Sequence, residues 1–155
     1  MLELKTFQPD DFSALISWFP SEAALQDFAG PGARWPLDRE QLDHRTAEPD
    51  LRSWTAYQPP ATEPIGHIEL VQIAPQHVRL DRVAIAPSHR GQGLSAELVR
   101  AALAQLDDPR PQTIDLLVSA TNVPARRTYL GVGFTDIGAI SPDHPTVRRM
   151  SLRRA

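Results

Sequence analysis

A chain of 155 residues, 41% hydrophobic and 23% charged, has the length of one domain spanning 1–155 and enough apolar mass for one sizeable core. It contains no cysteine, which excludes disulfides, thiolate metal sites and a cysteine acyl-enzyme, and no metal site is expected. A formal charge of −3 argues against nucleic-acid binding; the lack of an apolar run near the roughly 18 residues of a membrane span, or of a basic hydrophobic leader in MLELKTFQPDD, points to no membrane and to the cytoplasm.

Leu2, Leu4 and Phe7 alternate with polar residues as a first strand. Pro9-Asp10-Asp11 opens a helix with Phe12, Leu15, Ile16 and Phe19 on one face, and Pro20 ends it. A second helix runs from Ser21-Glu22 through Leu25 and Phe28 to Gly30, and Leu37 to Leu42 reads as a third, entered from Trp35. Leu51 to Gln58 and Ile65 to Ile73 are strand-like, separated by the turn Pro59 to Pro64. The turn Ala74-Pro75-Gln76 makes the latter a hairpin with His77 to Ala86. Alternation predicts one face carrying Ile65, His67, Glu69 and Val71, and in the next strand one carrying His77, Arg79, Asp81, Val83 and Ile85. Leu94, Leu98, Ala102 and Leu106 then mark a helix, which Asp107-Asp108-Pro109 stops. Ile114 to Val118 reads as a central strand, Asn122 to Val132 as a helix, and Phe134 to Ile140 and Thr146 to Leu152 as closing strands.

The chemistry concentrates between Leu80 and Leu106. The run Val83 to Ala86 is strand-like, Pro87 stops it, and Arg90-Gly91-Gln92-Gly93 leads into the helix. Glycines there let a ligand approach the backbone, and the first turn of a helix offers unpaired N–H groups and about half a positive charge. With the Arg90 guanidinium alongside, this is a place for a phosphorylated cofactor.

These residues resemble the acyl-CoA signature of the GNAT superfamily of N-acetyltransferases, with Arg90, Gly93 and Ser95 in the signature positions and Ser95 standing where glycine or alanine is usual. Asn122 to Phe134, with Asn122, Ala125, Tyr129 and Gly133-Phe134, is similar to a second block of that family. The resemblance implies an α/β (α+β) fold: a mixed, mostly antiparallel central sheet flanked by helices, with a splayed strand pair holding acyl-CoA. It implies that pantetheine pairs with the backbone around Val83, Ala84 and Ile85, and that pyrophosphate sits on the amides of Gly91, Gln92, Gly93, Leu94 and Ser95 beside Arg90. Tyr129 then corresponds to the tyrosine that protonates the coenzyme A sulfur. Asn122 either caps its helix or touches the cofactor, and Arg126 and Arg127 either reach the adenosine phosphate or lie in solvent. For the general base, Glu69 is the first choice and Asp81 the second, with His67 and His77 nearby. Phe28, Trp35 and Trp54 either line the acceptor site or fill the core.

The implied activity is direct transfer of the acetyl group of acetyl-CoA to a primary amine of a small molecule, peptide or protein. The resemblance leaves a homodimer open. The charge distribution suits this activity: ten acids and five bases in residues 1–60 would face a cationic amine, and nine acids and eleven bases in residues 61–155 a polyanionic cofactor. Two rivals stand. A non-catalytic acyl-CoA sensor would keep the fold without turnover. A dinucleotide-binding oxidoreductase would use Gly91-Gln92-Gly93-Leu94-Ser95-Ala96 and Asp115. Pro87 to Arg90 separates strand from glycines in a way that opposes the latter, and only about sixty residues follow the motif.

Overall fold

The computed structural model describes residues 1–106 and 113–154, so the expected stop at Asp107-Asp108-Pro109 lies outside it. The strands are β1 (Glu3–Thr6), β2 (Leu51–Tyr57), β3 (Gly66–Ala74), β4 (His77–Ile85), β5 (Thr113–Ser119), β6 (Thr135–Ser141) and β7 (His144–Arg153). The helices are α1 (Phe12–Ser17), α2 (Glu22–Ala29), α3 (Arg39–Thr46), α4 (Leu94–Leu103) and α5 (Val123–Val132). The strands form one mixed sheet in the order β1-β2-β3-β4-β5-β7-β6, in which β4 and β5 are parallel and the other neighbouring pairs antiparallel. This is the mixed, mostly antiparallel sheet with flanking helices that the sequence implies.

Each face of the sheet has its own core. On one face Leu94, Leu98, Val99, Ala102 and Leu103 of α4 pack with Ile68, Leu70, Val78, Leu80, Ile114 and Leu116. On the other, Phe12, Leu15, Leu25, Phe28 and Leu42 from α1 to α3 pack with Phe7, Ala84 and Ala86. Helices on both sides bury β3 from Gly66 to Leu70, so its polar members His67 and Glu69 lie under the α1–α3 layer and are 1% exposed. Gly66 marks the closest approach of α4: a Cβ there would stand 3.1 Å from Ala56 Cβ and 3.2 Å from Leu98 Cδ2. Asp11, at the entry of α1, ties that layer to the sheet by accepting from Thr55 Oγ1 and the Tyr57 hydroxyl, both at 2.9 Å. Burial, and then the Asp11 charge, pushes that hydroxyl up to about 12, so it stays a donor.

Three expectations change. The third helix starts at Arg39 and continues to Thr46, because the Asp38 carboxylate accepts from Gln41 N at 3.0 Å and fixes the start two residues later than the apolar pattern predicts. Only Leu42 of this helix is buried, which leaves that pattern little to show. Ile65 precedes β3 and joins the α4-side core instead of sharing a face with His67.

The third change matters most. Glu69 pairs with Asp81, yet His67, two residues back, pairs with Ala84, three residues on. The extra residue is a β-bulge, and within it Arg82 has a left-handed φ of 42°. A one-residue insertion reverses which side chains face which layer. Val78 and Leu80 face the α4 side before the bulge; after it Ile85 lies in that core with Val83 packed against it, while Ala84 and Ala86 face α1–α3. His77, Arg79 and Asp81 therefore do not share a face with Val83 and Ile85.

Candidate active site

The parallel pair β4–β5 holds only at its beginning, where His77 to Arg79 lie against Thr113 to Asp115. Asp115 fastens that end: it is 3% exposed, accepts from Arg79 Nε at 3.1 Å and lies 2.9 Å from His77 Nε2. Beyond Arg79 the bulge bends β4 away, and two joined clefts open between the strands.

The first, of about 630 Å³, runs along Val83, Ala84 and Ile85 to the start of α4, where Arg90, Gly91, Gly93, Leu94 and Ser95 line it. Gly93 is the N-cap of α4 with φ 74°, and Gly91 has φ 77°; both are in the left-handed region that glycine tolerates best. Among the described residues no side chain caps α4, which leaves the first-turn N–H groups available to an anion. Arg90 is held by Nε donating to Ile85 O at 3.2 Å, and the residue lines the cleft with its terminal nitrogens making no hydrogen bond among the described residues. The opposite wall is Asn122, Ala125, Thr128 and Tyr129 of the α5 segment, and Phe19, Ala24, Asp27 and Phe28 of the α1–α2 segment close it from above.

The second cleft, of about 520 Å³, lies between the end of α2 with Gly30-Pro31 and the splayed strands, and is lined by Arg79 to Val83, Leu116 to Ser119 and Val147. Asp27, Phe28, Val83, Asn122, Ala125 and Tyr129 line both clefts and mark their junction. Tyr129 packs edge-on to Phe134 at 5.9 Å, and its hydroxyl makes no hydrogen bond among the described residues. Burial, reinforced by the Asp81 charge, raises that hydroxyl well above the usual phenol range, so it is a neutral donor at the junction.

Behind the second cleft lies a charged network. Arg45 of α3 reaches Glu69 Oε1 and Asp81 Oδ2, each at 2.9 Å, and Glu69 Oε2 lies 2.8 Å from His67 Nε2. Burial works to raise the Glu69 carboxyl, but the hydrogen bond with His67 and the positive charges around it, Arg45 included, hold it below the usual carboxylate range. Burial likewise opposes the Arg45 charge, and the two carboxylates outweigh it.

The sequence-derived candidates fare unevenly. The structure brings Val83, Ala84, Ile85, Arg90, Gly91, Gly93, Leu94, Ser95, Asn122 and Tyr129 together around the first cleft, but Gln92 does not line it. Asn122 also caps α5, accepting from Ala125 N at 3.3 Å. Arg126 is turned away and occupied, donating to Asp136 Oδ2 at 3.1 Å and Ala120 O at 3.2 Å, a grouping that Arg148 completes. Glu69, the first choice for the base, lines neither cleft; its carboxylate is taken up by Arg45 and His67. Asp81 does line the second cleft. Of the aromatics, Phe28 lines the junction, Trp54 lies in the opposite core and Trp35 lines neither cleft. Sequence reasoning misses Asp27 and Arg82: an exposed acid on an amphipathic helix and an arginine in a strand carry no distinguishing pattern.

A glycine loop feeding an uncapped helix, beside a strand edge that runs to a half-buried tyrosine, is an arrangement able to hold a phosphorylated acyl donor. The chain belongs to the acetyltransferase (GNAT) family, whose model matches residues 15–134. The dinucleotide oxidoreductase reading falls with that match and with the mostly antiparallel sheet. Similar solved structures include a spermidine N-acetyltransferase from Vibrio cholerae in complex with CoA and spermine, with a TM-score of 0.78 and 19% identity over 98% of this chain and 95% of that one. An aminoglycoside acetyltransferase in complex with coenzyme A and kanamycin gives a TM-score of 0.79 and 24% identity, covering 99% and 95%. An acetyltransferase from Thermus thermophilus gives 0.78 and 18%, covering 99% and 97%. At these identities the shared property is the fold. No helix among the described residues is long and apolar enough to cross a membrane.

Proposed function

We propose that this protein transfers the acetyl group of acetyl-CoA directly to a primary amine. The observation that carries the reading is the continuity of the two clefts through Tyr129: an anion site at one end, a strand edge along the way, and a second opening at the junction.

In this reading the pyrophosphate rests on the amides from Gly91 to Ser95 with Arg90 beside it, and the pantetheine arm lies along Val83 to Ile85 as an added strand would. The thioester then reaches the junction. The amine enters through the second cleft and sheds its ammonium proton there, to water or to a carboxylate of that cleft. Its lone pair forms the C–N bond as the C–S bond breaks and the electron pair leaves on sulfur. Tyr129 gives its proton to the thiolate, and the proton that the nitrogen loses on becoming an amide restores the phenol. Asp81 is better placed for proton removal than Glu69, because it lines the second cleft while Glu69 is buried behind it. A cytoplasmic location belongs to the same proposal.

Calorimetry with acetyl-CoA on the wild type and on Gly93→Asp tests this. The expected result is micromolar binding by the wild type and none by the folded variant, whose new carboxylate would stand at the pyrophosphate site. Absence of binding by the wild type would remove the acyltransferase reading of this cleft.

A further inference from the structure

Four charged side chains line the second cleft: Asp27, Arg79, Asp81 and Arg82. Two of them are already matched. Arg79 donates to Asp115, and Asp81 accepts from Arg45. Among the described residues, Asp27 and Arg82 make no side-chain hydrogen bond or ion pair. They are of opposite sign, and they differ in place. Asp27 lines both clefts and so stands at the junction, where an attacking nitrogen must be; Arg82 lines the second cleft alone, farther from the thioester.

Arg82 is also a residue whose position the fold goes out of its way to hold. It occupies the bulge of β4 with φ 42°, a left-handed conformation that is strained for a residue other than glycine. Its guanidinium is half-buried, and burial draws it below the usual arginine range although Glu69 and Asp81 oppose the effect. A planar fork with unused donors at the wall of a cleft fits a carboxylate in two-point contact.

Resting on the N-acetyltransferase reading, we propose that the acceptor is a zwitterionic amine of amino-acid type: Arg82 takes its carboxylate, and Asp27 takes its ammonium group at the junction. This differs from the polycations spermine and kanamycin held by two of the structural neighbours. A polyamine brings no anion for Arg82 and would place positive charge against it.

The test is kcat/KM for acetyl transfer from acetyl-CoA to a panel of L-amino acids, the matching amino-acid amides, spermidine and kanamycin. The wild type is expected to favour at least one amino acid over its amide by about tenfold or more, since a half-buried guanidinium left unmatched penalises the neutral analogue. Arg82→Gly suits the left-handed backbone and so is expected to fold; in it the acid-to-amide ratio falls toward one, and Arg82→Lys restores part of it. Affinity for acetyl-CoA, measured by calorimetry, serves as the control for a merely structural effect and is expected to change less than about twofold. An acid-to-amide ratio of one in the wild type, an unchanged ratio in Arg82→Gly, or best turnover with spermidine or kanamycin would each overturn the inference while leaving amine acetylation standing. Acetyl-CoA binding with no turnover of any amine would overturn both.

Discussion

The two clefts are built on different principles. The first cleft, which the proposed reading gives to the cofactor, takes one wall from the nearly contiguous stretch Val83 to Ser95, with its strand edge, loop amides and start of α4, and is closed by side chains of the α1–α2 and α5 segments. The second cleft, which that reading gives to the acceptor, is assembled from α2, β4, β5, the α5 segment and β7, far apart in sequence, and carries the charged side chains Asp27, Arg79, Asp81 and Arg82. Backbone chemistry needs only glycines in the right places, so it can be shared by proteins that have little else in common. Side-chain chemistry can be rewritten one residue at a time without disturbing the grip on the cofactor.

The largest effect expected from breaking this division is at Arg45. Arg45→Ala strands the buried Glu69 carboxylate, and removing one partner of a buried pair costs about 3–5 kcal/mol. Thermal or denaturant unfolding measures the loss. Under conditions where the variant is folded, its acetyl-CoA affinity should match the wild type; a parallel fall in affinity would show that the two clefts are not independently supported.

Tyr129 belongs to both clefts. Tyr129→Phe should lower kcat by about 10² with little change in either KM, as loss of a proton donor does. Rescue of kcat by an acetyl donor with a less basic leaving thiolate would separate proton donation from packing against Phe134, whereas an unchanged kcat assigns the ring to packing alone.

A smaller effect concerns acid. The Glu69 carboxyl titrates lower in the folded than in the unfolded protein, so its contribution is present above the unfolded value of roughly 4.3 and is lost as pH falls from there through the folded value. Glu69→Gln should therefore flatten the fall in stability below about pH 4.5 relative to wild type. Because Glu69 stands behind the acceptor cleft and not in it, the same variant should keep the shape of the pH–rate profile. A profile that loses its basic-group limb in Glu69→Gln would return Glu69 to the role of base.

The legibility of the sequence follows the same division. The loop from Arg90 to Ser95 is readable because glycine at 91 and 93, between a strand and an apolar helix, suits a backbone that must turn sharply and stay bare for a ligand. The Asn122 to Phe134 block is readable for a similar reason, since a cap, a proline in the first turn and a terminal glycine frame one helix. By contrast, Glu69 alternates correctly and still goes to the wrong place, because α3 delivers Arg45 over it and that contact spans 24 positions of sequence. The bulge at Arg82 is invisible because no glycine or proline announces it, and every assignment of faces beyond it shifts by one. Arg126 looks free for a phosphate until β6 brings Asp136 beside it.

Gly66 lies on β3, outside the loop that would receive the cofactor, and has no side chain to take part in anything. Yet α4 rests where a methyl group at that position would be, within 3.2 Å of Leu98. The close packing of β3 against Ala56 of β2 and Leu98 of α4 is thus made possible by an omitted carbon. Adding it would make the Ala56 methyl and the Leu98 side chain give by a few tenths of an ångström, under the middle of the floor on which α4 rests. How closely α4 can rest on the sheet is therefore decided in the sheet, on a residue that any survey of cleft-lining positions would pass over.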